Sequence, residues 1–595
     1  MHHALLIPDV QACIFTSVKE DKQTNRHTFA MLARTCKVLN EASLDSLWSE
    51  LHSLCPLASC IYMANTVSFS DELITEASCD AEPDLSIFYK YSHRVRKLDV
   101  SGPLQGSSMR RTGRYFDVTD DLSALLYYAV PSPLLPNLRH LTWAPGTSLN
   151  LLRHLLSPHL LSLKIPNNYW VPESSLFVLT KIPGLCPEIK SLTLQLHWSE
   201  PGAVMNPRET AQYCIPRVIC CWRNLEELDC NPTTTESVRR LSVLSSLRIL
   251  RLQVTNQSVF NLPPDSLSFP SLHTLQLQVD TLETAIAMMK AIKGLPKSLK
   301  IVVSVGNYRR GRCSRENAAA LLLLVGDALY CELRNFSITF PVLLGDDPVN
   351  VYDLLQPLFN CNELRTLCVR MSSQFTLGDD ELHMMATTWP RLEELELLDL
   401  RPPSRRVVTP QPPPPPPAAG PVQAPQLQPP QPAAHMNLHQ LPVPAAQANH
   451  IQHMPVFPPA MPAAFPMVLA NHPISVRSRT AEITFRGLIS LLDLCPNLHY
   501  FDLAIDATKL DDLQGQNPGG GVCNRLVKTA RLIDSPVGDP DVVARILLDI
   551  LPELDDFIGS NGLPLIPHHN ITPQGWLAVR QKMTDLRQAR TQQLA

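Results

Sequence analysis

Residues 136–143 read Pro136-Asn137-Leu138-Arg139-His140-Leu141-Thr142-Trp143, a phrase of the form Pro-x-Leu-x-x-Leu-x-Leu with tryptophan in the last place. Residues 158–165 and 187–194 repeat the phrase, and Val95–Val100 is a degenerate first copy. Later copies are anchored at Leu225, Leu247, Leu272, Leu299, Leu333, Leu364, Leu392 and Leu498. So many recurrences of one phrase favour a repeat architecture over an ordinary leucine-rich α/β domain.

The spacing and internal pattern of the phrase predict an irregular leucine-rich-repeat solenoid of the α/β class. Successive anchors from Leu138 to Leu392 lie 22 to 36 residues apart, which leaves room for one strand, one helix and two turns. Residues 354–359 and 381–387 have the pattern of such helices. Each unit has an apolar face that only its stacked neighbours bury, with the parallel sheet on the concave side.

Alternation along each strand divides the side chains between two faces of the sheet. The inner leucines are expected to be buried: Leu141, Leu163, Leu192, Leu194, Leu250, Leu252, Leu275 and Leu277. The intervening polar residues are expected to face solvent on the concave side and to contact a target protein: His140, Thr142, Ser162, Lys164, Ser191, Thr193, Gln195, Glu227, Asp229, Arg251, Gln253, Gln276, Glu394, Glu396, Tyr500 and Asp502.

Residues 401–478 interrupt this pattern with six consecutive prolines, 412–417, in a stretch rich in Pro, Ala, Gln and His. Such a composition cannot build a packed core and favours polyproline II or disorder. We therefore predict a disordered insertion, with the repeats at Leu392 and Leu498 stacked directly on each other. A plain linker is the first interpretation, and a ligand for an SH3 or WW type of partner is the alternative.

The C-terminal residues predict a helix, an edge strand and a cap. Asp539 is a candidate N-cap with Pro540 in the first helical position, and Val543, Ile546, Leu547 and Ile550 follow at helical spacing. Residues 554–558 are expected to form a last strand-like edge. A short amphipathic segment beginning at Trp576 is expected to cover the open end of the solenoid.

The N-terminal residues have a different pattern, typical of short helices. Leu6-Ile7-Pro8-Asp9-Val10 is followed by Ile14-Phe15 and then by residues 32–37, Leu-Ala-Arg-Thr-Cys-Lys. In residues 40–51 one helical face carries Leu44, Leu47, Trp48 and Leu51. A bundle of under 50 residues holds itself weakly without a partner or a staple.

This order of residues resembles an F-box, and most of the chain resembles the F-box proteins of mushroom-forming fungi. The resemblance implies a small helical bundle that docks on the Skp-type adaptor of a cullin ubiquitin ligase core. Residues 16–28 depart from the family pattern, since they are polar where the family has another leucine-containing turn. By position, the adaptor-facing residues would be Leu6, Ile7, Pro8, Ile14, Phe15, Leu32, Cys36, Leu44, Leu47 and Trp48.

The composition argues against several other classes of protein. The chain has 595 residues, is 45% hydrophobic and carries a net charge of −4, which gives no electrostatic case for nucleic acid or an anionic membrane. Its 16 cysteines include no Cys-x-x-Cys pair, so reduced buried thiols are expected rather than a metal site. We find no signal peptide, membrane span, cofactor motif or catalytic motif, and predict an intracellular non-enzyme that needs no cofactor.

These patterns predict four regions: an F-box-like segment at 1–52, a solenoid at 53–400, the insertion at 401–478, and final repeats with a cap at 479–595. The predicted function is that of a substrate receptor in an SCF-type ubiquitin ligase. The alternatives are a leucine-rich interaction scaffold without ligase function and, more remotely, an enzyme of unrecognised type.

Overall fold

The computed structural model describes the parts of the chain that carry the repeats and the N-terminal helices. The described residues are 7–20, 25–64, 85–100, 132–143, 149–166, 173–195, 218–230, 234–254, 262–294, 296–303, 312–328, 332–340, 342–343, 348–399, 482–510, 513, 518–532, 535–558 and 573–594. The predicted insertion at 401–478 lies outside them, and so does Leu6.

The described residues form one sheet of 15 parallel strands in which spatial order follows chain order. Its strands are β1 Glu50–Leu51, β2 Lys97–Asp99, β3 His140–Thr142, β4 Ser162–Ile165, β5 Ser191–Leu194, β6 Glu227–Cys230, β7 Ile249–Val254, β8 Thr274–Val279, β9 Ser298–Val303, β11 Asn335–Phe340, β14 Thr366–Met371, β16 Glu394–Asp399, β17 Tyr500–Asp502, β18 Thr529–Arg531 and β19 Asp556–Ile558. Two small parallel pairs accompany it: β10 Arg312–Cys313 with β12 Val342–Leu343, and β13 Val349–Asn350 with β15 Phe375–Thr376.

Helices connect many of these strands, as a parallel sheet requires. They are α1 Pro8–Glu20, α2 Asn25–Thr35, α3 Lys37–Ser49, α4 Cys55–Ala64, α5 Ser86–Ser92, α6 Leu149–Leu152, α7 Glu173–Leu185, α8 Thr235–Ser242, α9 Leu282–Ala291, α10 Arg315–Ala328, α11 Val351–Leu355, α12 Asp379–Thr388, α13 Phe485–Leu494, α14 Pro540–Ile550 and α15 Pro573–Leu594. A 3₁₀ turn, Gln356–Asn360, follows α11.

The repeat interpretation is confirmed, because every anchored phrase contains a strand of the main sheet. The leucines that alternation predicted to be buried are at most 2% exposed, and they join helix residues such as Leu241 and Met288 in one continuous core. One sheet face therefore packs against the helices. The opposite face carries the intervening side chains, and we call it the polar face.

The two repeats on either side of the insertion are direct neighbours. β16 pairs in parallel with β17, with Glu394 opposite Tyr500 and Glu396 opposite Asp502. Cys495 extends the contact to the helices, since its thiol lies 3.4 Å from the Trp389 carbonyl oxygen. The predicted stacking of the repeats at Leu392 and Leu498 is therefore correct.

Three tryptophans join one repeat to an earlier one. Each indole Nε1 donates to a backbone carbonyl 31 to 41 residues upstream: Trp222 to Cys186 at 2.8 Å, Trp389 to Leu358 at 3.4 Å and Trp576 to Ser535 at 2.9 Å. A buried indole combines a large apolar surface with a polar group that needs a partner. These bonds satisfy that need at the junctions between repeats.

The capped helix at the C-terminal end is confirmed, and the segment after it is longer than predicted. α14 begins at Pro540, and the Asp539 carboxylate accepts from the Asp541 backbone N–H at 2.9 Å. The last segment is not short but a helix of 22 residues, α15. It covers the end of the sheet, since Trp576 contacts the ring of Phe557 at 5.7 Å between centroids.

In the main sheet two strands, and in the N-terminal helices one boundary, differ from the sequence prediction. β1 and β18 were missed because neither is preceded by the full leucine phrase, and only pairing with β2 and β17 identifies them as strands. The helix predicted over residues 40–51 spans Lys37–Ser49 instead, and Glu50–Leu51 enters the sheet. The sheet thus begins before residue 52, where the sequence placed the end of the F-box-like segment.

Candidate functional site

The polar face is ordered in rows, because parallel register aligns equivalent residues of successive strands. One row crosses the sheet from β2 to β18 with one residue from each strand. In order it contains Asp99, Thr142, Lys164, Thr193, Asp229, Arg251, Gln276, Lys300, Ser337, Cys368, Glu396, Asp502 and Arg531. The sequence-predicted target-binding residues lie in this row and in the rows beside it.

Charged residues of β6 and β7 form a compensated cluster on the polar face. Arg251 Nη1 donates to Glu227 Oε1 at 2.5 Å, and Ser191 Oγ donates to Glu227 Oε2 at 3.0 Å. Gln195 Nε2 donates to Asp229 Oδ2 at 2.9 Å. The carboxylates of this cluster are thus already engaged by groups of the chain itself.

The net pKa shift has opposite signs at the two carboxyls of that cluster. At Glu227 burial alone would raise the pKa, but hydrogen bonds from Arg251 and Ser191 outweigh it and lower the pKa. At Asp229 burial prevails over the Gln195 hydrogen bond and raises the pKa. The difference follows from the partner, since Glu227 binds a cation and Asp229 a neutral amide.

A second cluster lies on β14 and β16. Arg370 donates from Nε to Glu396 Oε1 at 2.5 Å and from Nη2 to Oε2 at 3.0 Å, a bidentate pair. The Cys368 thiol donates to Glu396 Oε2 at 3.2 Å. Burial raises the pKa of Glu396, but these hydrogen bonds more than offset it, so the net pKa is lowered.

Asp502 and Ser162 correct the prediction that all the intervening residues face solvent. Asp502 is 1% exposed and Ser162 is 8% exposed. The nearest cation to Asp502 is Arg531, whose Nη1 lies 3.6 Å from Oδ2, too far for a hydrogen bond. Burial, reinforced by Glu396, raises the pKa of Asp502 to about 7 despite Arg531. Alternation identifies the face of a side chain, but it cannot show whether a neighbouring side chain covers it.

The other predicted target-binding residues are exposed or half-buried. His140 and Lys164 are exposed, and Thr142, Gln253, Gln276, Glu394 and Tyr500 are half-buried. His499 Nε2 lies 3.3 Å from Glu394 Oε1. Partial burial, followed by the nearby Lys97 and Arg139, lowers the pKa of His140.

The N-terminal residues predicted to face an adaptor are mostly half-buried within the chain. Ile7 is 49% exposed. Leu6 and the side chain of Pro8 lie outside the described residues. The remaining residues are half-buried: Ile14, Phe15, Leu32, Cys36, Leu44, Leu47 and Trp48.

The two aromatic residues among the predicted adaptor-facing positions have contacts within the chain. Trp48 stacks on Tyr91 with ring centroids 4.3 Å apart and planes at 13°, and it packs against the main core. Phe15 contacts Phe29 at 5.9 Å between centroids. Trp48 therefore lies at the junction of α3 and α5.

A buried arginine holds the same junction. The Arg94 side chain is 7% exposed and forms ion pairs with Glu41 and Asp45 of α3. Its Nε donates to the Lys90 carbonyl oxygen at 3.1 Å, and its Nη1 donates to the Glu41 carbonyl oxygen at 3.3 Å. This arginine joins the backbones of α3 and α5 and fixes α3 against the first repeat.

Sequence reasoning missed two exposed apolar residues of the N-terminal helices. Met31 in α2 is 44% exposed and Val38 in α3 is 51% exposed. Exposed apolar side chains on helices that bury little are candidates for a partner surface. No sequence pattern separates them from buried neighbours such as Phe29 and Leu39. Which side chains are covered depends on how α2 and α3 pack against each other.

Metal binding and membrane insertion are two further properties that the described residues bear on. Across the described ranges, no group of three or more His, Cys, Asp or Glu side chains is arranged to hold a metal ion. Each helix in the described part of the chain is too short or too polar to cross a membrane.

Comparisons with known proteins identify no family. No protein-family model matches the chain, and no curated protein matches it. Among solved structures, the crystal structure of the Rad7 and Elc1 complex in yeast matches over 66% of this chain and 92% of that chain. The match has 14% sequence identity and a TM-score of 0.34.

Proposed function

We propose that this chain is a substrate receptor that binds an Skp-type adaptor through its N-terminal helices and a target protein through the polar face. The observation that carries the proposal is the sheet itself: 15 parallel strands, of which those from β2 to β18 each contribute a hydrogen-bonding or charged side chain to one row of the polar face. Such a surface suits recognition of a protein. The receptor would act by bringing target and ligase together, which raises their effective concentration.

The contribution of the N-terminal helices to the proposal is a set of exposed apolar side chains next to a helix that is held on the repeats. Ile7, Met31 and Val38 are all more than two-fifths exposed. The Arg94 ion pairs and the Trp48–Tyr91 stack hold α3 against the repeats. A rigid junction is what a receptor needs if the target is to stay at a fixed position relative to the adaptor.

The experiment is co-expression of the full chain with a Skp-type adaptor, followed by size-exclusion chromatography at micromolar concentration. We expect co-elution, and we expect Met31→Glu with Val38→Glu to abolish it without lowering the thermal midpoint. Val243→Glu is the matched control, since Val243 is 75% exposed on the repeats. Failure of the unmodified chain to co-elute would remove the ligase assignment.

The same co-elution assay compares the contributions of Trp48 and of the exposed Met31 to adaptor binding. Because Trp48 contacts Tyr91, we expect Trp48→Ala to weaken adaptor binding and also to loosen α3, as seen by hydrogen exchange. Met31→Glu should weaken binding alone. Equal loosening by both substitutions would assign Met31 to the junction and not to a partner surface.

A scaffold without ligase function is the second candidate, and one observation favours it. α3 leads directly into β1, which pairs with β2 at the edge of the main sheet. Terminal units that cover the open end are a general requirement of solenoids. The N-terminal helices would then serve as that cap, and the adaptor would not bind.

A further inference from the structure

The centre of the polar face carries few charged residues. Three neighbouring strands, β8, β9 and β11, place nine residues there in register. We call these nine positions the neutral panel: Thr274, Gln276, Gln278, Ser298, Lys300, Val302, Asn335, Ser337 and Thr339. Gln278 and Asn335 are exposed and the other seven are half-buried, so the panel is accessible.

Lys300 occupies the middle of the neutral panel and is its single charged residue. Gln276 and Ser337 lie directly beside it on the adjacent strands, and Ser298 and Val302 lie on its own strand. Within the described residues Lys300 forms no ion pair. The residues beside Lys300 on the sheet are an amide, two hydroxyls and a valine, so its ammonium group lacks the neighbouring carboxylate that cations of protein surfaces commonly have.

The charges on either side of the panel are already compensated. Arg251, two strands away, is paired with Glu227, and Glu396, three strands away, is held bidentately by Arg370. At about 4.8 Å per strand, Glu396 is about 14 Å from Lys300 along the sheet. On each side of the panel the polar face therefore carries a paired charge cluster, and Lys300 lies between them with no ion pair among the described residues.

We propose that the neutral panel binds a short extended segment of the target that carries an aspartate or glutamate, with its carboxylate on Lys300. This inference deepens the proposed function and rests on the polar face being the target-binding surface. The panel measures about 13 Å along the strands and about 10 Å across, which matches some four residues of extended chain at ~3.3 Å each. The amide of Gln276 both donates and accepts, as a peptide backbone requires.

The charge count selects a carboxylate over a phosphorylated side chain. Phosphoserine carries close to two negative charges at pH 7, and it is typically bound by clustered arginines. The panel offers one lysine, while the neighbouring arginines are occupied. One carboxylate neutralises Lys300, and the surrounding hydroxyl and amide donors can satisfy its remaining lone pairs.

The test uses a random peptide display library selected on the full-length protein. We expect enrichment of Asp or Glu at one position, and loss of that enrichment on Lys300→Gln. For a selected peptide, Lys300→Gln should weaken binding about tenfold, equivalent to about 1.4 kcal/mol. Asp→Asn or Glu→Gln in the peptide should cost the same, and the two changes together should cost no more than either alone.

Two further variants make the test specific. Lys164→Gln is the matched control, since Lys164 is an exposed lysine of the same row whose charge acts on Glu227 and Asp229. We expect it to leave peptide affinity unchanged. Ser337→Asp places a carboxylate in register beside Lys300 and should abolish the acidic preference with the lysine intact.

Three outcomes would overturn the inference: no enriched peptide, an acidic preference that survives Lys300→Gln, or tighter binding of the phosphoserine form of a selected peptide than of its glutamate form. None of them depends on the adaptor. If co-elution with the adaptor fails while the acidic preference holds, the chain is a peptide-binding scaffold and the ligase role is excluded. If co-elution succeeds and the preference is absent, the receptor role stands and the panel is not its recognition site.

Discussion

The N-terminal helices and the repeats bury their apolar residues to very different extents. In α1–α3 the described side chains that are fully buried are Phe29, Leu39 and Ser43. In β7 alone Leu250, Leu252 and Val254 are all buried. The repeats are held by apolar stacking, whereas α3 is held on the first repeat by an arginine and one aromatic stack.

This difference in burial predicts how each region responds to mutation. Loss of a buried leucine in the repeats removes packing that neighbouring repeats share, so the effect should spread through the solenoid. Loss of a polar contact at the N-terminal junction should release α1–α3 and leave the rest folded. Mutations of graded severity can test the contrast.

The largest effect is expected from Leu275→Ala. Leu275 is fully buried in β8, and truncation there leaves a cavity that should destabilise the fold by roughly 2–5 kcal/mol. Chemical denaturation measures the change. Gln276→Ala, one residue along and on the polar face, is the control and should stay within about 0.5 kcal/mol. Similar losses from both substitutions would contradict the division of the sheet into a core face and a polar face.

Asp502 is the exception on the polar face of the repeats, because its carboxyl is buried whereas the aligned carboxyl of Glu396 is half-buried. Its folded pKa of about 7 lies above the ordinary 3.8, so the folded state binds more protons than the unfolded state between those values. Stability should therefore fall as pH rises from 5 to 8, by roughly 2–3 kcal/mol. Asp502→Asn should remove this dependence.

Thermal midpoints at pH 5 and pH 8 measure the effect of Asp502. The control is Asp506→Asn. Burial of Asp506 opposes ionisation, but hydrogen bonds from Thr508 and Lys509 prevail and lower its pKa. Asp506 is therefore charged in both folded and unfolded states from pH 5 to 8, and its substitution should give an offset that does not vary with pH. An equal pH slope in wild type and Asp502→Asn would refute the assignment.

A smaller and local effect is expected from Arg94→Met. Methionine retains an apolar stem but loses the ion pairs to Glu41 and Asp45 and the hydrogen bonds to both helix backbones. Amide exchange in α3 should become faster while β7 and β8 keep their protection. Lys97→Met is the control, since Lys97 is 43% exposed and pairs with a half-exposed Glu50. Uniform deprotection of the whole chain would show that the N-terminal helices are integral to the core.

The smallest effect is expected from replacing residues 405–475 with a short Gly/Ser linker. β16 and β17 pair directly, so the register on either side of the replaced segment does not require it. Loop-closure entropy changes by only about 0.6 kcal/mol per doubling of length. The thermal midpoint should therefore be nearly unchanged. A large fall would mean that the segment contributes to the stability of the repeats.

The sequence by itself determined the repeat architecture, because a leucine phrase has one stable arrangement when its copies stack. Alternation along a strand is geometric, so the burial of Leu141, Leu192 and Leu275 followed from position alone. The helix cap at Asp539 also followed from local chemistry. These features depend on neighbours in the chain or on the same phrase one repeat away.

Tertiary structure alone decided the features that depend on residues distant in sequence. β18 became visible as a strand only through pairing with β17, and Asp502 is buried because residues of adjacent strands surround it. The isolation of Lys300 required the register of three strands whose residues are 24 to 37 positions apart in the chain. The local sequence pattern predicts the sheet face on which a side chain lies. The groups that surround the side chain come from other strands, which are distant in sequence.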